Sequence, residues 1–348
     1  MKIAIHQNKK VYDHSTQWMY EWIRYCEENK LTYEIVDAYA NGFLEKIRGF
    51  DVFLWSFSNY SLQDMQFARS ILHAASEAGV RVFPDFSTGW HFDDKIAEYY
   101  WLQAAHAPVP ESWVFYTRED ALLWASQEAN WPVVAKLKTG SGSNNVKMIR
   151  SAGQAKSYIN RMFSRGFRNV PGVLFKTASN VKSSRNWETV VKRFKRIPDF
   201  IGTWQRARML PKERGYVLFQ EFIPNDGYDL KVAVVGDKLS FFARHIRKGD
   251  FRASGGADFY YDQSLMTDQI RETAFEVAQQ LRFQSMGFDF VVDKQTGQGK
   301  IIEMSYGFSW QALLGAGGYW DREHNWHDEP LNAPVEALKN LIQAGDQA

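Results

Sequence analysis

Short apolar runs and segments of helical spacing alternate along the first ninety residues. The runs at 3–5, 33–36, 52–55 and 80–83 are typical of buried strands. The segments between them, at 15–29, 41–48 and 61–78, carry apolar residues at helical spacing. Ser61 followed by Asp64 is a helix N-cap signal, and Gly79 ends that helix. Alternating strands and helices predict a small, mostly parallel α/β domain over residues 1–90.

The pattern changes after residue 90. Strands are predicted at 113–115, 133–135 and 146–149, with helices at 118–129 and from Ser151 to about residue 163. From residue 216 an antiparallel pattern predicts strands at 217–222, 230–235, 240–245, 288–292 and 300–303, and helices at 267–281 and 334–342. We therefore expect four segments: an N-terminal α/β domain (1–90), a subdomain with a glycine-rich lid (91–163), a basic insertion (164–215) and a second subdomain (216–348).

Composition places the chain among ordinary globular proteins of more than one domain. It has 348 residues, of which 45% are hydrophobic and 24% charged. The 13 tryptophans are unusual, and they suit a core or a surface that stacks on sugars or nucleotides. The single cysteine, Cys26, excludes an internal disulfide and fits a reducing cytoplasm. No apolar stretch of the sequence is long enough to span a membrane, so we expect no membrane-spanning segment.

Charge is concentrated in one segment. Residues 164–215 contain 13 lysines and arginines against three acids, a net +10 in a chain of net +2. Such a patch predicts an anionic partner: a polyanionic substrate, a membrane surface or, less favoured, a nucleic acid. We expect this insertion to be partly ordered or to fold on its ligand.

The glycine-rich stretch 133–148 is the first candidate for chemistry. A strand delivers Lys136 into a loop that contains Gly140 and Gly142, and a second strand follows. Glycines let backbone N–H groups approach a ligand, and a nearby ammonium suits a polyphosphate. The lysine precedes the glycines and no helix follows, so this is not a P-loop. An ordinary hairpin turn is the alternative.

A pair of acids is the second candidate. Asp289, between Phe288 and Phe290, and Glu303 lie on the two strands of the last predicted hairpin. Two carboxylates on paired strands suit Mg²⁺ when the metal also takes phosphate oxygens. A solvated hairpin face is the alternative, although a buried acid would need a partner.

Two further groups follow the same logic. The segment Glu221-Phe222-Ile223 could read an adenine edge, and Asp229 could hold ribose hydroxyls. The alternatives are that Glu221 caps a turn and that Asp229 is an exposed strand residue. A group of cations precedes another glycine-containing stretch, and such an arrangement suits phosphate or carboxylate binding. The alternative is a charged, solvated strand edge. The cations are Arg244, His245, Arg247, Lys248 and Arg252, of which Arg252 is the preferred candidate.

Together these stretches, in this order over about residues 1–320, resemble the ATP-grasp superfamily of carboxylate ligases, in a layout similar to D-alanine–D-alanine ligases and RimK-type members. The resemblance implies that ATP is bound by Lys95, Lys136, Ser141, Gly142, Ser143, Glu221, Phe222, Ile223 and Asp229. It implies catalytic roles for Lys136 and Arg252, and Mg²⁺ ligands at Asp289, Glu303 and Ser305. The fold implied is an N-terminal Rossmann-like α/β domain, a small lid domain and a C-terminal antiparallel-sheet domain.

The chemistry implied is ligation through an acyl phosphate. A carboxylate attacks the γ-phosphate of ATP, and an amine then displaces phosphate to give an amide and ADP. The partners that the resemblance implies are a carboxylate and an amine donor. From the charge of the basic insertion and the many tryptophans, we expect a small-molecule or sugar-containing carboxylate, for instance a surface-polysaccharide precursor; a homodimer is left open. Positioning and charge neutralisation supply most of the catalysis in such transfers.

The sequence departs from the family at four points. Ser305 stands where the family usually has Asn, which puts the second magnesium ion in question, and Lys231 stands where RimK-like members often have Arg. The loop has only two glycines, and the insertion 164–215 is outside the common core. Two alternatives therefore stay open: an ATP-binding regulatory or scaffold protein without ligase activity, and a kinase for a small hydroxyl compound.

Overall fold

The computed structural model describes residues 1–8, 14–59, 61–140, 145–168, 212–246 and 259–346. The chain divides into two compact units. The main unit comprises Met1–Phe92, Tyr100–Val109 and Pro224–Ala348, and the small unit comprises Asp93–Tyr99 and Pro110–Ile223. The four segments expected from sequence stay a prediction about domains; in the structure the N-terminal residues and the C-terminal antiparallel region share one unit.

The N-terminal part of the main unit is a parallel four-stranded sheet in the order β2-β1-β3-β4. Its strands are β1 (Lys2–His6), β2 (Thr32–Val36), β3 (Val52–Leu54) and β4 (Arg81–Phe83). Helices α1 (His14–Glu28), α2 (Phe43–Ile47), α3 (Leu62–Glu77) and α4 (Phe86–Gly89) connect or follow them. The Ser61 hydroxyl accepts a hydrogen bond from the Asp64 N–H at the start of α3, which confirms the predicted cap. The strand pairing confirms the predicted parallel sheet.

The second part of the main unit is an antiparallel sheet of seven strands. Its order is β13-β12-β9-β10-β14-β15, and β11 pairs with β10. The strands are β9 (Tyr228–Val235), β10 (Lys238–His245), β11 (Phe259–Tyr260), β12 (Ser285–Val292), β13 (Gly299–Ser305), β14 (Tyr319–Trp320) and β15 (Trp326–His327). Helices α8 (Asp268–Gln280), α9 (Trp310–Leu313) and α10 (Ala333–Asp346) complete it.

The two parts of the main unit share one hydrophobic core and several hydrogen bonds. The Trp22 indole in α1 donates to the Pro334 carbonyl in α10 at 2.8 Å. The side chain of Gln284 donates to the Val82 carbonyl at 2.9 Å and accepts from the Asp85 N–H at 2.8 Å. These contacts join the Rossmann-like sheet to the antiparallel region as one body.

The small unit is a four-stranded antiparallel sheet covered on one face by two helices. Its order is β5-β8-β6-β7, with β5 (Ser112–Phe115), β6 (Val133–Lys136), β7 (Val146–Ile149) and β8 (Val217–Glu221). Helices α6 (Arg118–Gln127) and α7 (Ala152–Met162) pack on it, and α5 (Lys95–Ala104) begins in this unit. Strand β8 pairs with β5 and β6 here, although its sequence continues the antiparallel pattern of β9 and β10.

The tryptophan side chains that the structure describes pack in the interior of the protein or at its margin. The described tryptophans are all buried or half-buried, among them Trp18, Trp22 and Trp55 in the main unit and Trp124 in the small unit. In the described part of the chain, no helix is long and apolar enough to cross a membrane.

Candidate functional site

The start of α5 is fastened to the segment that leads into the glycine-rich loop. The Lys95 N–H donates to the Lys138 carbonyl at 2.9 Å, and the Lys95 ammonium donates to the Gly140 carbonyl at 2.7 Å. The Gly140 N–H donates to Asp93 Oδ1 at 2.9 Å, and the Lys138 ammonium lies 3.1 Å from Asp94 Oδ2. The first predicted nucleotide lysine therefore lies at the entrance of the predicted lid.

Lys136, the second predicted nucleotide lysine, ends β6 and is buried. Its strand neighbours are Leu218 on β8 and Val146 on β7. Val133 and Ala135 on the same strand belong to the core under α6 and α7. Because side chains alternate along a strand, Lys136 points to the face of the sheet opposite α6 and α7.

Several predicted residues lie outside the described part of the chain. They are Ser141, Gly142 and Ser143 of the lid, Arg247, Lys248 and the preferred cation Arg252, and most of the basic insertion. Their predicted roles stay predictions. The strands on either side of the lid are present as the hairpin β6–β7.

The entrance to the lid also contacts the end of the basic insertion. The Thr139 hydroxyl and the Tyr216 hydroxyl both donate to the carboxylate of Glu213. The Lys138 N–H donates to the Tyr216 oxygen at 2.6 Å. Burial first, and Glu213 second, raise the pKa of Tyr216 above its usual range, so this phenol stays protonated as a donor. Nothing in the local sequence indicated the contact of Glu213 with Thr139, because the two residues are 74 positions apart in the chain.

The predicted adenine-reading segment follows the end of β8. The Glu221 N–H donates to the Glu111 carbonyl at 2.7 Å, and the Glu111 N–H donates back to Glu221 Oε2 at 3.3 Å. Phe222 is half-buried and Ile223 is buried. These bonds fix the backbone of the segment, and its contact with adenine stays a prediction.

A buried network of two acids and two cations crosses the main sheet. The Arg244 guanidinium donates to both carboxylate oxygens of Asp229 at 2.7 Å and to Asp289 Oδ1 at 2.9 Å. Lys231 Nζ lies 2.7 Å from the same Asp289 oxygen. Only 4% of Asp289 and 3% of Asp229 are exposed. The alternatives of a solvated hairpin face for Asp289 and an exposed strand residue for Asp229 are therefore wrong.

The strand register brings these four residues together. Lys231 lies directly opposite Asp289 across β9 and β12, and Asp229 lies directly opposite Arg244 across β9 and β10. Sequence reasoning noted all four residues but did not pair them. The signal available in the sequence was that each acid and its cation occupy strand positions whose side chains lie on the same face, on strands that become neighbours. For Arg244 the alternative of a solvated edge is also wrong, since its side chain is 11% exposed.

Electrostatics differ between the two acids of the network. Burial opposes ionisation of Asp289, but Lys231 and then Arg244 outweigh burial and hold the pKa of that carboxyl below its usual range. Burial raises the pKa of Asp229 to about 6, although Arg244 acts in the opposite direction. The network is neutral when both acids are ionised, which explains how charges persist in an apolar sheet. The predicted ribose role of Asp229 stays a prediction and would compete with Arg244.

Glu303 faces Asp289 directly across β12 and β13. The register shifts between Asp289 and Phe290, and this irregularity places Ile302 as an extra residue on β13. Such bulges redirect neighbouring side chains and are frequent beside active sites. Ser305 lies two residue pairs further along, opposite Gly287, and its hydroxyl accepts from the Gly307 N–H at 3.2 Å.

The donor set fits a magnesium ion that also takes oxygens from a nucleotide. Both contacts that described residues make with the Asp289 side chain use Oδ1, which leaves Oδ2 for a metal. Glu303 would supply a second hard oxygen from the facing position, and Ser305 would supply a third. Within the described ranges no three His, Cys, Asp or Glu side chains cluster, so a metal here would need phosphate and water oxygens. That is how Mg²⁺ is usually bound in phosphoryl-transfer sites.

Comparison with known proteins gives likenesses in structure. No protein-family model matches the chain, and no curated protein sequence matches it. The chain is similar to D-alanine–D-alanine ligase from Bacillus anthracis complexed with ATP, with a TM-score of 0.58 at 14% identity over 99% of each chain. It is similar to a RimK domain ATP-grasp protein from Sphaerobacter thermophilus DSM 20745, with a TM-score of 0.53 at 16% identity over 91% of this chain and 95% of that one.

A third likeness is to the ATP-grasp ligase PsnB complexed with minimal precursor, Mg and ADP. Its TM-score is 0.53 at 12% identity, over 99% of this chain and 98% of PsnB. All three likenesses extend over nearly the full length of both chains, and all three structures are of one fold class. The chain has the ATP-grasp fold, as its sequence motifs predicted.

Proposed function

We propose that the chain is an ATP-dependent ligase that joins a carboxylate to an amine and releases ADP. The observation that supports this most is the position of Asp289 directly opposite Glu303 in the main sheet of an ATP-grasp fold. A second support is the buried Lys136 and the engaged Lys95 beside the lid. Solved structures of the same fold with ATP, and with Mg and ADP, agree with this nucleotide chemistry.

The proposed reaction has two steps. An oxygen of the substrate carboxylate attacks the γ-phosphorus of ATP, the bond to the β-phosphate oxygen breaks, and ADP leaves. The amine nitrogen then attacks the acyl carbon, inorganic phosphate leaves, and the amine loses a proton. Lys95, Lys136 and Arg252 would bind phosphate oxygens, and their positive charge would offset the negative charge of the transferring group.

The remaining nucleotide contacts follow from the same proposal. The lid residues Ser141, Gly142 and Ser143 would donate backbone N–H groups to the phosphates and exclude water from the acyl phosphate. The segment Glu221-Phe222-Ile223 would read the adenine edge, and Asp229 would hold the ribose. Asp289, Glu303 and Ser305 would hold Mg²⁺, which when bound neutralises phosphate charge.

For the substrates, we propose a small-molecule or sugar-containing carboxylate and an amine donor. The net +10 charge of residues 164–215 supports an anionic group on one of them, such as a uronic acid. The described tryptophans give no further support to sugar stacking, since they are buried or half-buried. We also propose that the protein works in a reducing cytoplasm. In keeping with this, its single thiol, Cys26, is buried, and burial raises the pKa of that thiol to about 11.

A second candidate is a nucleotide-binding protein without ligation. The observation in its favour is that Lys231 and Arg244 already occupy one oxygen of Asp289, with Ser305 as the third metal ligand in place of an amide. Cations so close to a carboxylate oppose the binding of a divalent ion there. This candidate predicts ATP binding with no turnover. A small-molecule kinase would instead release ADP without forming an amide.

The test is ADP and AMP release by the purified protein with Mg-ATP, pooled amino acids and pooled sugar acids. Glu303→Gln is the blank, since it keeps the size of the side chain and removes its charge. Glu272→Gln, at an exposed acid on α8, is the matched control for loss of one negative charge. Binding of ATP is measured separately by its effect on the melting temperature, with Lys136→Ala as the variant expected to lose that effect.

Substrate-dependent ADP in the wild type and the Glu272→Gln variant, but not in the blank, would support the ligase, and mass spectrometry would then detect the amide. AMP as the product would contradict an acyl phosphate. A rise in melting temperature with ATP, without ADP or AMP, would favour the binding protein.

A further inference from the structure

A pocket lies in the small unit, at the C-terminal end of α7. Its volume is about 700 Å³, within the range of roughly 300–1,000 Å³ usual for small-molecule sites. The described residues that line it include five cations and no carboxylate. These cations come from three separate parts of the chain and are Lys147, Arg161, Arg165, Arg168 and Lys212.

The five cations lack counter-ions among the described residues. None of them forms an ion pair with another residue of the described ranges, and all five are exposed. Like charges held together around one cavity repel each other, and an anion in the cavity would relieve that repulsion. The pocket is thus built for negative charge.

Aromatic rings form an ordered side of the pocket. The rings of Tyr158 and Phe167 are stacked with centroids 5.0 Å apart, and the Arg161 guanidinium lies 4.0 Å from the centroid of Phe167. Arg161 also donates to the Gly166 carbonyl at 3.2 Å. These contacts fix the position of one cation before any ligand binds, which lowers the entropy lost on binding.

The pocket lies mainly on the side of the sheet opposite Lys136, although one lining residue, Val146, is the strand partner of Lys136. Leu137 lines the pocket and belongs to the core beneath α6 and α7, whereas Lys136 points to the opposite face of the same sheet. A ligand in the pocket therefore does not share the phosphate contacts proposed for Lys136. It would instead contact Leu137 and Asn145, which flank the lid and are joined by a backbone hydrogen bond of 3.1 Å.

We propose that this pocket binds a small polyanion, a molecule with at least two phosphate or carboxylate groups, at a site distinct from that of ATP. Guanidinium groups form paired charge-assisted hydrogen bonds with both kinds of anion. The volume and the stacked aromatic side favour a small ligand over a nucleic acid strand. The proposal goes beyond ligation and does not require it.

The test is calorimetric titration of the full chain with tripolyphosphate and, separately, with citrate, in buffer without ATP or magnesium. We expect one-to-one binding of at least one probe to the wild type. In the double variant Arg165→Gln/Lys212→Gln, binding should weaken roughly 100-fold, about tenfold for each charged hydrogen-bonding partner removed. The probe that binds more tightly identifies the preferred anionic group.

Two control variants make the result specific. Lys156→Gln removes an exposed cation from the same helix outside the pocket, and binding should not change. Lys136→Ala, at the proposed ATP-phosphate site, should not abolish binding. The proposal is overturned if neither probe binds, if Lys156→Gln weakens binding as much as the double variant, or if Lys136→Ala abolishes it, because the probe would then occupy the proposed ATP-phosphate site. Binding of a 20-mer RNA with no binding of either probe would overturn it in favour of a nucleic-acid surface.

Discussion

Replacing Arg244 with methionine should destabilise the main unit strongly. The guanidinium is the partner of both oxygens of Asp229 and shares Asp289 with Lys231. Without it, Asp229 loses both of its charged hydrogen bonds while it stays buried, and Asp289 keeps only Lys231. Breaking a buried ion pair from one side typically costs about 3–5 kcal/mol, because an uncompensated charge is left behind. We expect a loss of unfolding free energy in that range.

Urea unfolding at neutral pH measures this loss. Arg24→Met is the matched control, since 56% of the Arg24 side chain is exposed on the surface of α1, where it pairs with Glu21 and, at 3.8 Å, with Glu28. Exposed pairs contribute roughly 0–1 kcal/mol, so this variant should barely change the midpoint. The double variant Arg244→Met/Asp229→Leu should recover most of the stability lost by Arg244→Met, because no unpaired charge then remains at position 229.

Acid should reduce the difference between Arg244→Met and the wild type. Burial raises the pKa of Asp229 to about 6, above its value in the unfolded chain. Protonation of Asp229 therefore stabilises the folded state as the pH falls through that value, and it removes the unpaired charge from the variant. A loss below about 1 kcal/mol at neutral pH, or a loss that grows in acid, would contradict the network as described.

Two further substitutions test buried features of each unit. His91 is fully buried, neither ring nitrogen has a hydrogen-bond partner, and burial first, then Arg69, lower its pKa to about 3. As the pH falls, the unfolded state therefore binds the proton before the folded state does, and the wild type loses stability. Between about pH 7 and about pH 5, His91→Leu should lose about 2 kcal/mol less unfolding free energy than the wild type loses. Urea unfolding measures both losses, and equal pH dependence of the two proteins would contradict this. Gly166 has φ +65°, and a Cβ there would lie 2.4 Å from the Glu213 carbonyl oxygen, so Gly166→Ala should cost roughly 1–3 kcal/mol in thermal unfolding. The control Gly153→Ala, on an open helical position, should instead add up to about 1 kcal/mol, and equal effects of the two would refute the close contact.

Local signals in the sequence were sufficient for most individual elements. Strands with short apolar runs, such as β1 and β3, and the capped helix α3 are confirmed within a few residues of their predicted ends. These elements depend on periodicity and on hydrogen bonds between residues three positions apart, both of which are visible in a single sequence.

Pairings between distant strands could not be predicted in the same way. The alternation of β8 is compatible with either sheet, and its membership of the small unit is decided by contacts with β5 and β6. The ion pairs of Asp289 with Lys231 and Arg244 depend on the lateral order of three strands that is not the order of the chain. Alternation predicts the face on which a side chain lies, but not its neighbour on the next strand.

The backbone pairing of Phe167 with Glu213 has a consequence for how this protein can change. Each residue donates its N–H to the carbonyl of the other, at 3.0 and 2.8 Å, so the described residues on either side of segment 169–211 meet at one point. An insertion whose ends already meet adds little to the cost of closing the fold, whatever its length. Evolution or an engineer could therefore exchange residues 169–211 as a cassette, and alter what the protein recognises while the buried lysine and the paired carboxylates stay unchanged.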